Sequence, residues 1–178
     1  KIIHDLEVQY GCFFDRDESG SIKQKAFAGQ SFDRTVHKGD LTGIEIMSRL
    51  REQLFRVNPR ELEDVRALDL ITSQSGEISG VTCLDVRRGV FILVRAKIII
   101  MASGGAATMY KIAAPAREKT GDGVAMCLRA GMWVRDMEML QFHPTGLLAG
   151  ESRMTGAVLE EGLRGAGAYL RNALGERY

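Results

Sequence analysis

The sequence has little of the residues that mark specialised protein classes. Its three cysteines, Cys12, Cys83 and Cys127, form no CxxC pair, so neither a disulfide framework nor a zinc site is predicted and a reducing compartment is favoured. No second His or Cys stands at ligand spacing from His143, and no metal is expected. Lys and Arg number 24 against 23 Asp and Glu, a net charge of +1, and this balance excludes an extended surface for nucleic acid.

Long apolar runs are also missing. The most apolar segment, VFILVRAKIIIMA (residues 90–102), is interrupted by Arg95 and Lys97 and is shorter than the ~20 residues that span a bilayer. The first ten residues lack the apolar core of a signal peptide. With 45% hydrophobic and 26% charged residues, the composition is that of an ordinary globular protein, and no direct membrane insertion is expected.

Two helices are predicted from apolar periodicity and end signals. LTGIEIMSRLREQLF (residues 41–55) carries apolar residues at helical spacing, with Asp40 or Thr42 as the cap and Asn58–Pro59 as the end. A second helix is predicted at Asp122–Ala130, with Thr120 or Asp122 near its N-cap.

Between these helices the pattern changes to strands. Residues 65–102 contain three apolar segments separated by the turns SQSGE and RRG, which predicts an antiparallel meander. The last segment, residues 90–102, is apolar enough to be a central strand buried on both faces that leads directly into SGGAA. The fold class is therefore α/β with α+β character.

Two glycine-containing segments can approach a cofactor. Ser103, Gly104, Gly105 and Ala106 are small, so their backbone N–H groups can face a phosphate or a flavin edge. On spacing alone, a tight turn is the favoured interpretation of this segment. In TGDG, Asp122 can accept hydroxyl protons from a ribityl or ribose chain, although plain helix capping explains it as well.

Two further segments carry polar side chains that can act on a substrate. In LQFHPTG (residues 140–146), Pro144 restricts His143 to an extended backbone, and the cluster suits a carboxylate. An ordinary loop histidine is the alternative. In EEGLRGAG, Glu161 and Arg164 are three residues apart and can pair if the segment is helical, either as a proton-transfer pair or as a solvated ion pair.

Taken in order, the motifs AKIIIMASGGAATMY, TGDGVAMCLRAGMWVRDMEMLQFHPTG and EEGLRGAGAYLRNALGERY resemble the succinate dehydrogenase/fumarate reductase flavoprotein family. LEEGLRGAGAYL is most similar to the menaquinol:fumarate reductase branch. The resemblance implies the C-terminal half of a Rossmann-like FAD-binding domain over residues 1–137, with the antiparallel meander. It also implies the beginning of a capping, substrate-binding domain over residues 138–178.

The resemblance also implies a role for each motif. Ser103, Gly104, Gly105, Ala106 and Asp122 would contact FAD, and His143 would bind a substrate carboxylate. Glu160 stands where the family usually has a substrate-binding threonine, and Glu161 and Arg164 match a proton relay. The implied reaction interconverts succinate and fumarate by hydride transfer at flavin N5.

The implied setting is an electron-transport complex that serves the tricarboxylic acid cycle or anaerobic respiration. Its other members would be an iron–sulfur subunit, which is the direct partner, and a quinone-reactive membrane anchor beyond it. The protein would then be cytoplasmic and peripheral to the inner membrane. L-aspartate oxidase, a soluble FAD enzyme, and a non-catalytic α/β module remain as alternatives. No GxGxxG motif is present, and the chain begins at Lys1, so we expect an internal fragment that is inactive alone.

Overall fold

The computed structural model describes residues 1–27 and 30–177, and Ala28, Gly29 and Tyr178 lie outside the described residues. It divides into two compact units: unit 1, Lys1–Glu61 with Glu160–Tyr178, and unit 2, Leu62–Leu159. In chain order the elements are α1 (Ile2–Val8), β1 (Gln24–Lys25), β2 (Thr35–Val36), α2 (Thr42–Val57), β3 (Val65–Thr72), β4 (Ile78–Asp85), β5 (Val90–Arg95), a 3-10 helix (Ala107–Met109), α3 (Asp122–Arg129) and α4 (Glu161–Gly165). The mixed helix and antiparallel-sheet class predicted from the sequence is confirmed.

Unit 1 is organised around the segment that follows α1. Phe14 is buried, and the backbone N–H of the preceding residue donates to the Glu45 carboxylate of α2 at 2.9 Å. The predicted helix is confirmed as α2, and it ends at Asn58, whose φ of 47° is left-handed. The predicted caps are wrong: Leu41 is the N-cap, while Thr42 Oγ1 accepts from the Lys38 N–H at 3.0 Å and so closes the turn before the helix.

The predicted meander is confirmed in unit 2, where three antiparallel strands lie in the order β3-β4-β5. Gly80 is required where β4 approaches β5, because a Cβ there would lie 2.5 Å from the Val94 carbonyl oxygen. Cys83 of β4 is buried in the small core of this unit.

The prediction of a fully buried last strand is wrong. β5 ends at Arg95, and residues 96–102 form no strand. The ladder stops because Gly80 and Arg95 are the last paired residues of β4 and β5. Within the described residues β5 is an edge strand, and Phe91 is 79% exposed.

Helix α3 packs against β3 and is held there by two ion pairs. Arg66 of β3 donates to the Asp122 carboxylate at 2.7 Å, and Arg129 at the other end of α3 pairs with Asp69. Arg129 also donates to the Leu68 carbonyl oxygen at 2.8 Å. The helix is confirmed, but its N-cap is Gly121 in the left-handed region, with a φ of 79°, because a backbone turn rather than a side chain begins it. In the described part of the chain no helix has the length and apolar character needed to cross a membrane.

Candidate functional site

The two glycine-containing segments of unit 2 interlock. A Cβ on Gly123 would collide with the Ser103 hydroxyl and lie 2.8 Å from Ser103 Cβ. A Cβ on Gly121 would lie 2.8 Å from Ala106 Cβ. The SGGA and TGDG segments, 15 or more residues apart in the sequence, therefore form one surface, and their glycines are needed for this close packing.

This surface, which we call the glycine platform (residues 103–106 and 121–123), has open backbone groups. Within the described residues, no hydrogen bond of the backbone N–H groups of residues 103–106 occurs. Gly104 has a left-handed φ of 78°, and no atom lies within 4 Å of a Cβ built on Gly105. Free N–H groups beside an uncovered glycine can contact the phosphates or the polar edge of a nucleotide cofactor.

Asp122 adds an anionic acceptor to the glycine platform. The hydrogen bond from the Arg66 guanidinium, followed by one from Thr120, lowers the pKa of the Asp122 carboxyl below its usual value. The carboxylate is exposed and keeps lone pairs beyond those used by these partners, so it can accept hydroxyl protons from a sugar-like chain. Arg66 was not predicted, because no local pattern links residues 56 positions apart.

His143 is held by the residue two positions after it. Its Nδ1 lies 2.9 Å from the Thr145 carbonyl oxygen and 3.3 Å from the Thr145 N–H. The shorter contact favours a hydrogen on Nδ1, which leaves Nε2 as the ring nitrogen available to a ligand. Thr145 is itself buried, and its hydroxyl donates to the Leu159 carbonyl oxygen at 3.3 Å, so the imidazole is anchored to a fixed backbone.

A cavity of about 640 Å³ opens beside His143 within unit 2. Its wall is mainly apolar and includes Phe142, whose ring meets the Tyr110 ring edge-to-face at 6.4 Å. Lys111 also lines it, so the cavity combines apolar walls, one cation and the imidazole. Such a lining suits a small anion whose carbon skeleton is excluded from water.

The EEGLRG segment lies in unit 1 and forms the five-residue helix α4. Glu161 and Arg164 pair across it at 3.9 Å, and their side chains are 29% and 25% exposed, which confirms the predicted i, i+3 pair. Glu160 is the N-cap residue, and its carboxylate lies over Gly162, where a Cβ would come 2.6 Å from either oxygen. The roles of these three residues remain predictions.

Comparison with known proteins identifies the family. The family model described as FAD binding domain matches residues 1–178. The chain is 38% identical to a flavoprotein of Methanothermobacter marburgensis that is named as part of a fumarate reductase (CoM/CoB), and 39% identical to the mitochondrial succinate dehydrogenase flavoprotein of Oryza sativa subsp. japonica. This chain belongs to the succinate dehydrogenase/fumarate reductase flavoprotein family.

Solved structures of this family have the same fold. A quinol–fumarate reductase with menaquinol molecules matches 99% of the chain with a TM-score of 0.88 and 32% identity. The Escherichia coli quinol fumarate reductase matches 98% with a TM-score of 0.84 and 28% identity. The two sequence matches above span 99% and 100% of this chain but only 32% and 29% of those relatives, and the chain spans about 30% of the structural neighbours.

FAD is the cofactor of this family of oxidoreductases, and the glycine platform fits it. Unpaired N–H groups, the open side of Gly105 and the Asp122 carboxylate are the groups that a dinucleotide requires of a protein backbone. The predicted domain boundary at residues 137 and 138 and the predicted site residues remain predictions, although Ser103, Gly104, Gly105 and Ala106 do meet the Asp122 helix as one surface.

Proposed function

We propose that the protein interconverts succinate and fumarate and that this chain supplies part of its FAD site and one substrate-binding histidine. The observation that carries the proposal is the cavity of about 640 Å³ that places an anchored imidazole among apolar walls, in the same unit as the glycine platform. When bound, FAD supplies hydride transfer at its N5 atom.

His143 would bind one carboxylate of the substrate. With Nδ1 donating to the Thr145 carbonyl oxygen, Nε2 donates to a carboxylate when the ring is protonated, and that charge-assisted bond polarises the substrate. Phe142 and Tyr110 exclude water from the carbon skeleton and so strengthen the interaction. Clamping the carboxylate also fixes the orientation of the adjacent carbon–carbon bond.

Glu161 and Arg164 would move a proton toward the reacting carbon, because a paired carboxylate and guanidinium that are largely shielded from water can pass a proton along a hydrogen-bonded chain. Asp122 would bind the ribityl chain, and Glu160 would stand near the substrate. The proposed partners are a membrane anchor and an iron–sulfur subunit, which would place the protein at the inner membrane. This follows the relatives whose names include quinol–fumarate reductase.

The test is steady-state turnover of the full-length, FAD-containing protein with succinate, fumarate and L-aspartate. We expect His143→Ala to lower kcat/KM for the dicarboxylates about 30- to 100-fold, since a hydrogen bond to a charged group contributes ~2–3 kcal/mol. FAD content should not change, because His143 does not belong to the glycine platform.

His4 offers a matched control, because its side chain is 75% exposed and lies in α1 of unit 1. His4→Ala should leave kcat/KM as it is. Oxidation of L-aspartate without turnover of succinate would instead identify an aspartate oxidase. Equal turnover by His143→Ala and the unaltered protein would remove His143 from the substrate site, and an absence of bound flavin would favour a non-catalytic module.

A further inference from the structure

The Lys119 side chain lies across the glycine platform. A Cβ built on Gly104 would lie 2.8 Å from Lys119 Nζ, 3.0 Å from its Cδ and 3.2 Å from its Cε. The end of the side chain, including the ammonium, therefore runs over the face of Gly104 that a larger residue would occupy. Lys119 is half-buried, unlike the exposed lysines at positions 97 and 111 of the same unit.

The backbone of Lys119 is fixed to the end of the same segment. Its carbonyl oxygen accepts from the Thr108 N–H at 3.2 Å and from the Thr108 hydroxyl at 2.7 Å. Its own N–H donates to the Ala116 carbonyl oxygen at 3.0 Å. Since Thr108 belongs to the 3-10 helix directly after the glycine platform, the side chain leaves from a defined point toward Gly104.

The Lys119 ammonium has no ion pair within the described part of the chain. The carboxylate of the platform itself, Asp122, is paired instead with Arg66. An ammonium that is partly removed from water gains from an anionic partner, and free N–H groups beside it would contribute to the same anion site.

We propose that Lys119 binds an anionic group of FAD across the backbone of Gly104, an inference that rests on the assignment of the glycine platform to FAD. Two parts of the cofactor have the required charge: the pyrophosphate, in both redox states, and the ring of the reduced flavin once N1 has lost its proton. Pairing with the pyrophosphate would strengthen binding alone. Pairing with the reduced ring would raise the reduction potential as well, because it stabilises the reduced form selectively.

The test compares Lys119→Met with Lys119→Arg in the full-length protein. Methionine keeps an unbranched chain over Gly104 and removes the charge, whereas arginine retains it. Two quantities are measured: the affinity of the apoprotein for oxidised FAD and for ADP, from fluorescence quenching and competition, and the midpoint potential of the bound flavin. Lys97→Met, which removes an exposed lysine of the same unit, is the matched control.

If Lys119 binds the pyrophosphate, Lys119→Met should weaken FAD and ADP about tenfold each and leave the potential unchanged. If it binds the reduced ring, oxidised FAD and ADP should bind as before. The midpoint potential should then fall by about 30 mV, which is a tenfold change for a two-electron couple. In either case Lys119→Arg should restore most of the loss, and Lys97→Met should show none.

The proposal is overturned if Lys119→Met changes neither affinity nor potential, or if Lys119→Arg loses as much as Lys119→Met. These readouts do not depend on substrate turnover. A protein that binds FAD but does not act on dicarboxylates would contradict the proposed reaction and leave this measurement decisive for Lys119.

Discussion

Gly123 shows how a single residue controls the assembly of the candidate cofactor site. It is the second residue of α3, it is buried, and the Ser103 hydroxyl occupies the space that a side chain would need. Glycine at this position is therefore required by packing rather than by its φ angle, since its backbone is helical. The same contact brings the SGGA segment against the helix that carries Asp122.

We predict that Gly123→Ala destabilises the protein by about 1–3 kcal/mol, the usual effect of forcing a methyl group into a packed site. Adding Ser103→Gly should recover most of this loss, because it removes the colliding hydroxyl. Gly43 in α2 is the matched control: no atom lies within 4 Å of its built Cβ, so Gly43→Ala should change stability by no more than about 0.5 kcal/mol, in the stabilising direction.

Urea unfolding of the full-length protein measures all of these variants. Equal stability for Gly123→Ala and Gly43→Ala would show that Ser103 yields easily and that the contact does not hold the two segments together.

At this scale the sequence predicts the residues whose neighbours in the chain identify them. His143, between an aromatic residue and proline, lines a cavity, and Asp122 is part of the glycine platform. Arg66 and Lys119 were not predicted. Arg66 meets Asp122 only because β3 packs against α3, and Lys119 precedes TGDG without any pattern that shows its direction.

Among the secondary-structure elements, α3 and β3 carry the strongest polar connection of unit 2. The pairs Arg66–Asp122 and Arg129–Asp69 hold the two ends of the helix to the strand. The first of these pairs lowers the pKa of Asp122, so its contribution to stability depends on pH.

The sign of this dependence follows from the direction of the shift. A carboxyl whose folded-state pKa is lowered contributes stability that is fully present above its unfolded pKa, about 4, and is lost as the pH falls through the folded value. We therefore predict that Arg66→Gln is less stable than the unaltered protein at pH 5–8. The difference should narrow as the pH falls below about 4.

Urea midpoints measured at several pH values test this prediction. Arg88→Gln is the control, because that side chain is 81% exposed and stands 3.8 Å from its partner Asp85. It should change stability little at any pH. A difference for Arg66→Gln that persisted unchanged at pH 2.5 would show that Asp122 is not its cause.

The order of elements could be predicted from periodicity, but the extent of β5 could not. The run of apolar residues from Val90 to Ala102 looks like one strand, yet pairing stops at Arg95 because β4 offers no further partner residues. Strand length depends on the neighbouring strand, which a single segment does not reveal. The N-cap of α2 was wrong for a related reason, since Thr42 bonds to the preceding turn.

For the whole molecule, the main feature is how little apolar surface is buried. Only Cys12, Phe14, Cys83 and Met126 are buried apolar residues among those described, whereas Ile98 and Ile100 are 82% and 86% exposed. The relatives that the chain matches are about three times as long, since it covers 29–32% of them. Exposed apolar surface of this extent marks a surface that another part of a protein covers.

We predict that the 178-residue chain expressed alone binds a hydrophobic fluorescent dye strongly, whereas the full-length protein binds it weakly. Replacing Ile98 and Ile100 together by lysine should reduce dye binding by the isolated chain without lowering its helix and strand content, because both side chains already face solvent. In the full-length protein the same substitutions should destabilise by roughly 2 kcal/mol or more, since they would bury two unpaired charges. Acrylamide quenching of Trp133, which is fully exposed, gives an independent readout: quenching in the isolated chain should approach that of free tryptophan. Equal dye binding by both proteins would mean that these isoleucines stay exposed in the full-length molecule.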